Sequence, residues 1–203
     1  FCLCVFNITE INPPLKAEKK TSFIEDLGHV FDSKYFILIV LECYVLFVGY
    51  LGMYGAMQYY YTYIIGSAAR MPLALSLLTI LAIPTMLLSA FLNGKGVPKV
   101  RLMLIGTAID IVGYLLLFLT SDATLATASL ALIGFGFGFR QSMYFSMLPD
   151  VFDYTEWKHG KSMGGTQNAI TGFANKLASA SASAIISGLL VWGAYDAEKQ
   201  IGR

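Results

Sequence analysis

The sequence predicts an all-α membrane protein with five transmembrane helices, on three observations. Of its 203 residues, 56% are hydrophobic and 13% are charged, against about 45–50% apolar and about 25% charged in soluble domains. The mean hydropathy is +0.63. The apolar residues are gathered into blocks close to the roughly 20 residues that a helix needs to cross about 30 Å of hydrocarbon. They do not alternate with polar residues over the roughly ten-residue segments of a membrane barrel.

FCLCVF at the amino end reads as the end of a preceding span (residues 1–6), which suggests a piece of something larger. Residues 7–34 form a polar connector with Pro13-Pro14 and the cluster Lys16, Lys19 and Lys20, and with a short amphipathic surface helix near Phe23 to Phe31. The first complete span, residues 35–65, is long enough to cross with tilt. Its outer part carries Tyr50, Tyr54, Tyr59, Tyr60, Tyr61 and Tyr63, some of which suit an interfacial belt. The second span, residues 71–92, has Pro72 in its first turn and Pro84 inside, where a kink is expected. NGKGVPKVR is a tight basic turn before the third span, residues 102–119, and TSDAT leads into the fourth, residues 125–148. DVFDYTEWKHGK separates that span from the fifth, residues 163–192, and residues 194–203 form an external tail.

The net charge of +1 and the scattering of bases among loops give no reason to expect a nucleic-acid partner. Lys16, Lys19, Lys20, Lys34, Lys95, Lys99, Arg101, Lys158 and Lys161 collect on one side, against Arg70, Lys199 and Arg203 on the other. The positive-inside rule therefore places DVFDYTEWKHGK in the cytoplasm of a multi-pass protein of the plasma or inner membrane. Cys2, Cys4 and Cys43 lie in apolar stretches, and His29 and His159 read as loop residues with no partner at ligand spacing. No disulfide framework, metal site or cofactor is expected, and no signal peptide is recognisable.

Polar residues inside spans are costly and so are functional candidates. Lys176 lies in the middle of the fifth span. Around it Asn168, Thr171, Gly172, Asn175, Ser179, Ser183 and Ser187 recur at intervals of three and four, a small and polar stripe along one helix face. Lys176 either meets substrate in a water-filled cavity or pairs structurally with an acid. Arg140 and Gln141 lie about two turns from the end of the fourth span. The planar fork of Arg140 suits a sugar hydroxyl pair or a carboxylate, although an arginine at that depth can also snorkel. Tyr144, one turn on, shares its face and offers a platform to a sugar ring. Glu42 and Asp110 are the intramembrane acids available to Lys176 or Arg140, with the pairing open. Gly134, Gly136 and Gly138 in GFGFGF lack the preceding strand of a nucleotide-binding loop; Gly134 and Gly138 form a GxxxG packing surface.

Asp150, Asp153 and Glu156 are spaced by three, on one side of a helix end. Paired carboxylates serve glycoside hydrolysis, so a membrane-embedded enzyme acting on glycosides or lipids through Asp153 and Glu156 is the alternative function. The favoured reading assigns no catalytic residue. It takes these acids, with Lys158 and Lys161, as a charged latch that closes in one conformation and opens in another, as a rocking transporter requires.

LPDVFDYTEWKHGK, from Leu148 to Lys161, resembles the D-x-x-D-Y-x-E-x-K-x-G motif of the glycoside-pentoside-hexuronide:cation symporters, the melibiose-permease-like branch of the major facilitator superfamily. NKLASA, from Asn175 to Ala180, is similar to the lysine-containing eleventh helix of that family, and the connector is similar to its central cytoplasmic loop. The resemblance implies the carboxy-terminal half of a twelve-helix carrier: the tail of helix six, then helices seven to eleven. It implies alternating access to a sugar, coupled to Na⁺ or H⁺, with the ion site in the missing amino-terminal half. Lys176 would face the central cavity, and Asp150, Asp153, Tyr154, Glu156, Lys158 and Lys161 would form a cytoplasmic gate against that other half. Melibiose permease has a cavity-facing tryptophan in helix ten where this chain has Gln141, so a galactoside preference does not follow.

Overall fold

The structure, a computed structural model, describes residues 23–193. The expectations for the preceding span, the Pro13-Pro14 part of the connector and the external tail lie outside these residues. The described elements are helical: α1 (Phe23–Phe31), α2 (Lys34–Tyr59), α3 (Met71–Gly94), α4 (Lys99–Leu119), α5 (Ala123–His159) and α6 (Gly164–Trp192). A π-helical turn, Tyr60–Ile64, extends α2, and a 3-10 turn, Ala68–Arg70, leads into α3. Five of these helical segments are long and apolar enough to cross a membrane.

The boundaries follow local chemistry. Pro72 sits in the first turn of α3, where its missing N–H has no helical partner to lose. Asp122 caps α5 by accepting a hydrogen bond from the Thr124 backbone N–H at 2.9 Å. Gly160 ends it at φ 65, in the left-handed region that glycine enters without steric cost. Pro84 is accommodated within α3 and Pro149 within α5.

Helix α5 is longer than the apolar block of the fourth span. Its 37 residues reach about 55 Å at 1.5 Å per residue, well beyond the hydrocarbon core. The motif between the fourth and fifth spans forms the last turns of this helix, in keeping with the i, i+3 spacing of its acids. Pro149 is accommodated at the junction, and Asp150–His159 beyond it is polar but contains no helix breaker, so the helix runs on past the apolar block until Gly160 stops it.

Helix α5 packs extensively against α3 and α4, while α2 packs against α6 and touches α5. Glycines allow the close approaches. A Cβ on Gly106 would stand 2.7 Å from the carbonyl oxygen of Gly136, and one on Gly138 would stand 2.5 Å from that of Ala82. Gly134 lies against the backbone of Leu78, so Gly134 and Gly138 do form the α3-facing packing surface. Hydroxyls add cross-links: Tyr44 donates to Ser181 at 2.9 Å, tying α2 to α6, and Tyr60 donates to the Thr120 carbonyl at 2.8 Å. Leu38, Leu87, Leu104 and Phe118 remain exposed, as expected of side chains that face lipid rather than water.

Candidate functional site

Three groups of polar residues stand out: a clasp at the lysine-rich end, an ion pair inside the bundle, and the exposed polar face of α6.

At the lysine-rich end, Lys158 Nζ lies 2.5 Å from Asp32 Oδ2, and Lys161 is paired with Asp26. Both acids belong to α1 or its carboxyl end, so the tip of α5 is bound to the connector helix. His29 and His159, expected as unpartnered loop residues, sit near the ends of α1 and α5, with ring centroids 4.7 Å apart. His159 Nε2 is 3.6 Å from Asp32 Oδ2, too long for a hydrogen bond. The Asp32 carboxyl is held below the usual range first by its hydrogen bond from Lys158 and then by that lysine's charge, with the two histidines adding to the effect against slight desolvation. The third acid, Asp150, pairs with Lys99 at the start of α4 at 2.5 Å, and Lys99 also donates to the Ser146 carbonyl at 2.9 Å. Asp153 and Trp157 are exposed and Glu156 is half-buried. The Tyr154 ring meets that of Tyr35 edge-on at 5.1 Å.

The gate residues are therefore divided. Lys158, Lys161 and Asp150 have partners within this bundle, while Asp153 and the Trp157 ring point outward. Asp26 and Asp32 had not been singled out from the sequence. The available signal was their position on and just after an amphipathic helix close to the first span.

Within the membrane-crossing length, Arg140 on α5 reaches Asp110 on α4, with Nη2 3.2 Å from Oδ2. Asp110 is 2% exposed. The angles are poor for hydrogen bonding: neither Asp110 oxygen nor Arg140 Nε has a hydrogen-bond partner. Arg140 lines a cleft of about 590 Å³ between α2, α4 and α5, together with Glu42, Tyr50, Thr107 and Tyr114. The sequence places Tyr50 only among the tyrosines suited to an interfacial belt and does not single out Thr107 and Tyr114, because a hydroxyl in a span carries no signal of which way it faces. Gln141 and Tyr144 are buried, and Tyr144 packs with Phe36, Ile39 and Cys43. Its ring is closed off in this conformation rather than open as a platform.

Helix α6 shows three faces. Gln167, Ala174, Ala178 and Ala182 are buried on the side turned to α2. Phe173 and Leu177 are exposed and apolar. Between these faces, Asn168, Gly172, Lys176, Ser179, Ser183 and Ser187 are exposed, with Asn175 and Thr171 half-buried at the edge. Lys176 is not among the residues lining the Arg140 cleft, so the structure does not bring these two candidate substrate contacts into one pocket.

Comparison with known proteins gives one family: the model described as MFS/sugar transport protein matches residues 2–201. No curated protein and no solved structure matches the chain. A match over nearly the whole chain, on an all-α bundle with five helices able to cross a membrane, identifies a multi-pass transporter of the major facilitator type: the chain belongs to the MFS/sugar transport protein family.

Proposed function

We propose that this chain works within a secondary active transporter that carries a small sugar (a glycoside, pentoside or hexuronide) together with a cation by alternating access in the plasma or inner membrane. The observation that carries this reading is the exposed polar face of α6. Lipid cannot solvate a row of serines, an asparagine and Lys176 at membrane depth, whereas a water-filled cavity can. On this reading the face lines a central cavity shared with an amino-terminal six-helix half. Lys176 and Asn175 then meet the sugar hydroxyls, and Asp153 and Glu156 meet the cytoplasmic loops of that half when the cavity opens outward. The i, i+3 spacing of these acids then serves a gate rather than bond cleavage.

Uptake of labelled glycosides and uronides into proteoliposomes under imposed Na⁺ or H⁺ gradients tests the proposal, using the chain together with its six-helix partner. Gradient-driven accumulation is expected, and Lys176→Ala abolishes it while membrane insertion persists. Undiminished accumulation by that variant would remove Lys176 from the cavity. Release of hydrolysed sugar without accumulation would favour an enzyme acting through Asp153 and Glu156.

A further inference from the structure

Glu42 lies about two turns inside α2, and its Oε1 is buried without a hydrogen-bond partner. It faces the cleft that Arg140 also lines. The guanidinium acts electrostatically on both Glu42 and Asp110, but only Asp110 has it in direct contact, at 3.2 Å. Of the other ionisable groups nearby, α5 contributes Tyr144, α4 contributes Tyr114, and α2 itself contributes Cys43 and Tyr50. Helix α6, on the other side of α2, carries Lys176 as its ionisable side chain, and Lys176 is exposed.

The charge balance decides what this cluster can bind. Two carboxylates against one guanidinium leave a single negative charge among leucine, valine and methionine side chains, where an uncompensated ion is strongly disfavoured. One added positive charge removes it. Asp110 has the guanidinium in direct contact at 3.2 Å and Glu42 does not, so the charge left to be neutralised is that of Glu42. A metal cation would have to approach the same guanidinium. Among the described residues no group of three or more His, Cys, Asp or Glu gathers that could hold one. A proton needs a single carboxylate oxygen, and Glu42 Oε1 is one that has neither a hydrogen-bond partner nor the guanidinium in contact.

We propose that Glu42 is an intramembrane proton-binding carboxyl, loaded and released beside the Arg140–Asp110 pair, and that the ion coupled through this half of the carrier is a proton. Loading converts carboxylate and one proton from water in the cleft into a carboxyl group; release is the reverse. The coupling role rests on the transporter reading above, whereas the binding step does not.

The two are separable by experiment. Infrared spectra of the chain in lipid vesicles, recorded from mildly acidic to mildly alkaline pH, are expected to show a protonated-carboxyl band that declines as pH rises. The band shifts when the protein carries carbon-13-labelled glutamate, stays in place with labelled aspartate, is lost in Glu42→Gln, and persists, displaced, in Glu42→Asp. The labelling keeps the test valid if the glutamine variant fails to fold. Absence of the band at every pH, a shift with labelled aspartate instead, or displacement of the band by Na⁺ would each overturn the site. A titrating Glu42 band combined with uptake indifferent to a proton gradient would overturn the coupling role. Absence of any uptake beside a titrating band would count against the transporter reading alone.

Discussion

Lys158 Nζ sits 2.5 Å from Asp32 Oδ2 and so holds the far end of α5 against the end of α1. With the Lys161–Asp26 pair beside it, the connector helix is fastened by two ion pairs to the segment that carries the gate acids. Reversing both lysines, Lys158→Glu with Lys161→Glu, is expected to release α1 and speed protease cleavage around residues 23–33. Adding Asp26→Lys and Asp32→Lys should restore protection. Equal cleavage in all three proteins would show that the pairs do not hold the helix.

The same clasp has an acid limit. Because Asp32 is held below the usual carboxylate range by Lys158, its folded form binds fewer protons than its unfolded form. Its contribution is therefore complete above the ordinary aspartate value of about 4 and is lost as pH falls through the lower folded value. Spin labels on α1 and on the tip of α5 should stay close at neutral pH and separate only in strong acid. Asp32→Asn should remove this pH dependence, and separation near neutrality would contradict the assignment.

Close packing between α4 and α5 is testable at two glycines. Gly106→Val should destabilise the bundle by about 1–3 kcal/mol or more, since even a Cβ there meets the Gly136 carbonyl oxygen at 2.7 Å. Gly172→Ala, with nothing within 4 Å of the added carbon, should change stability by only about 0.5 kcal/mol in either direction. Thermal unfolding in mild detergent distinguishes the two, and similar losses at both sites would refute the close contact.

The Arg140–Asp110 pair predicts non-additive behaviour. Asp110→Asn alone removes the acid in contact with the guanidinium and leaves Glu42 as its counter-charge in the cleft, so it should cost clearly less than Arg140→Met, which leaves two carboxylates without a guanidinium. Asp110→Asn combined with Arg140→Met removes both partners of the contact and should cost clearly less than the sum of the single changes. Additive losses in a double-mutant cycle would mean that the pair is not coupled.

Much of the bundle is legible in the sequence, for reasons tied to particular residues. Apolar block length points to five helices able to cross a membrane, and Pro72 falls in a first helical turn as read. The continuation of α5 past Leu148 is not legible, because the apolar signal stops there and Pro149 reads as a helix stop, although α5 accommodates it. The i, i+3 spacing of Asp150, Asp153 and Glu156 does point to a helix, but it cannot say that this helix is an unbroken extension of the span. Arg140 and Asp110 are each visible as intramembrane charges, yet their contact depends on the relative rotation and depth of α4 and α5. The glycines that set that register, Gly106 and Gly136, lie 30 positions apart in the chain. The polar stripe of α6 is readable as a helical face from spacing alone, whereas its orientation away from α2 is a matter of packing.

The unbroken course of α5 turns it into a lever. From Arg140 to His159 the helix runs about 28 Å at 1.5 Å per residue, so tilting it by about ten degrees around the buried ion pair would sweep its free tip through about 5 Å. That is about twice the separation of Lys158 and Asp32. Small rotations deep in the bilayer are thus magnified where α1 is attached, and the connector helix must either travel with the tip or let go of it.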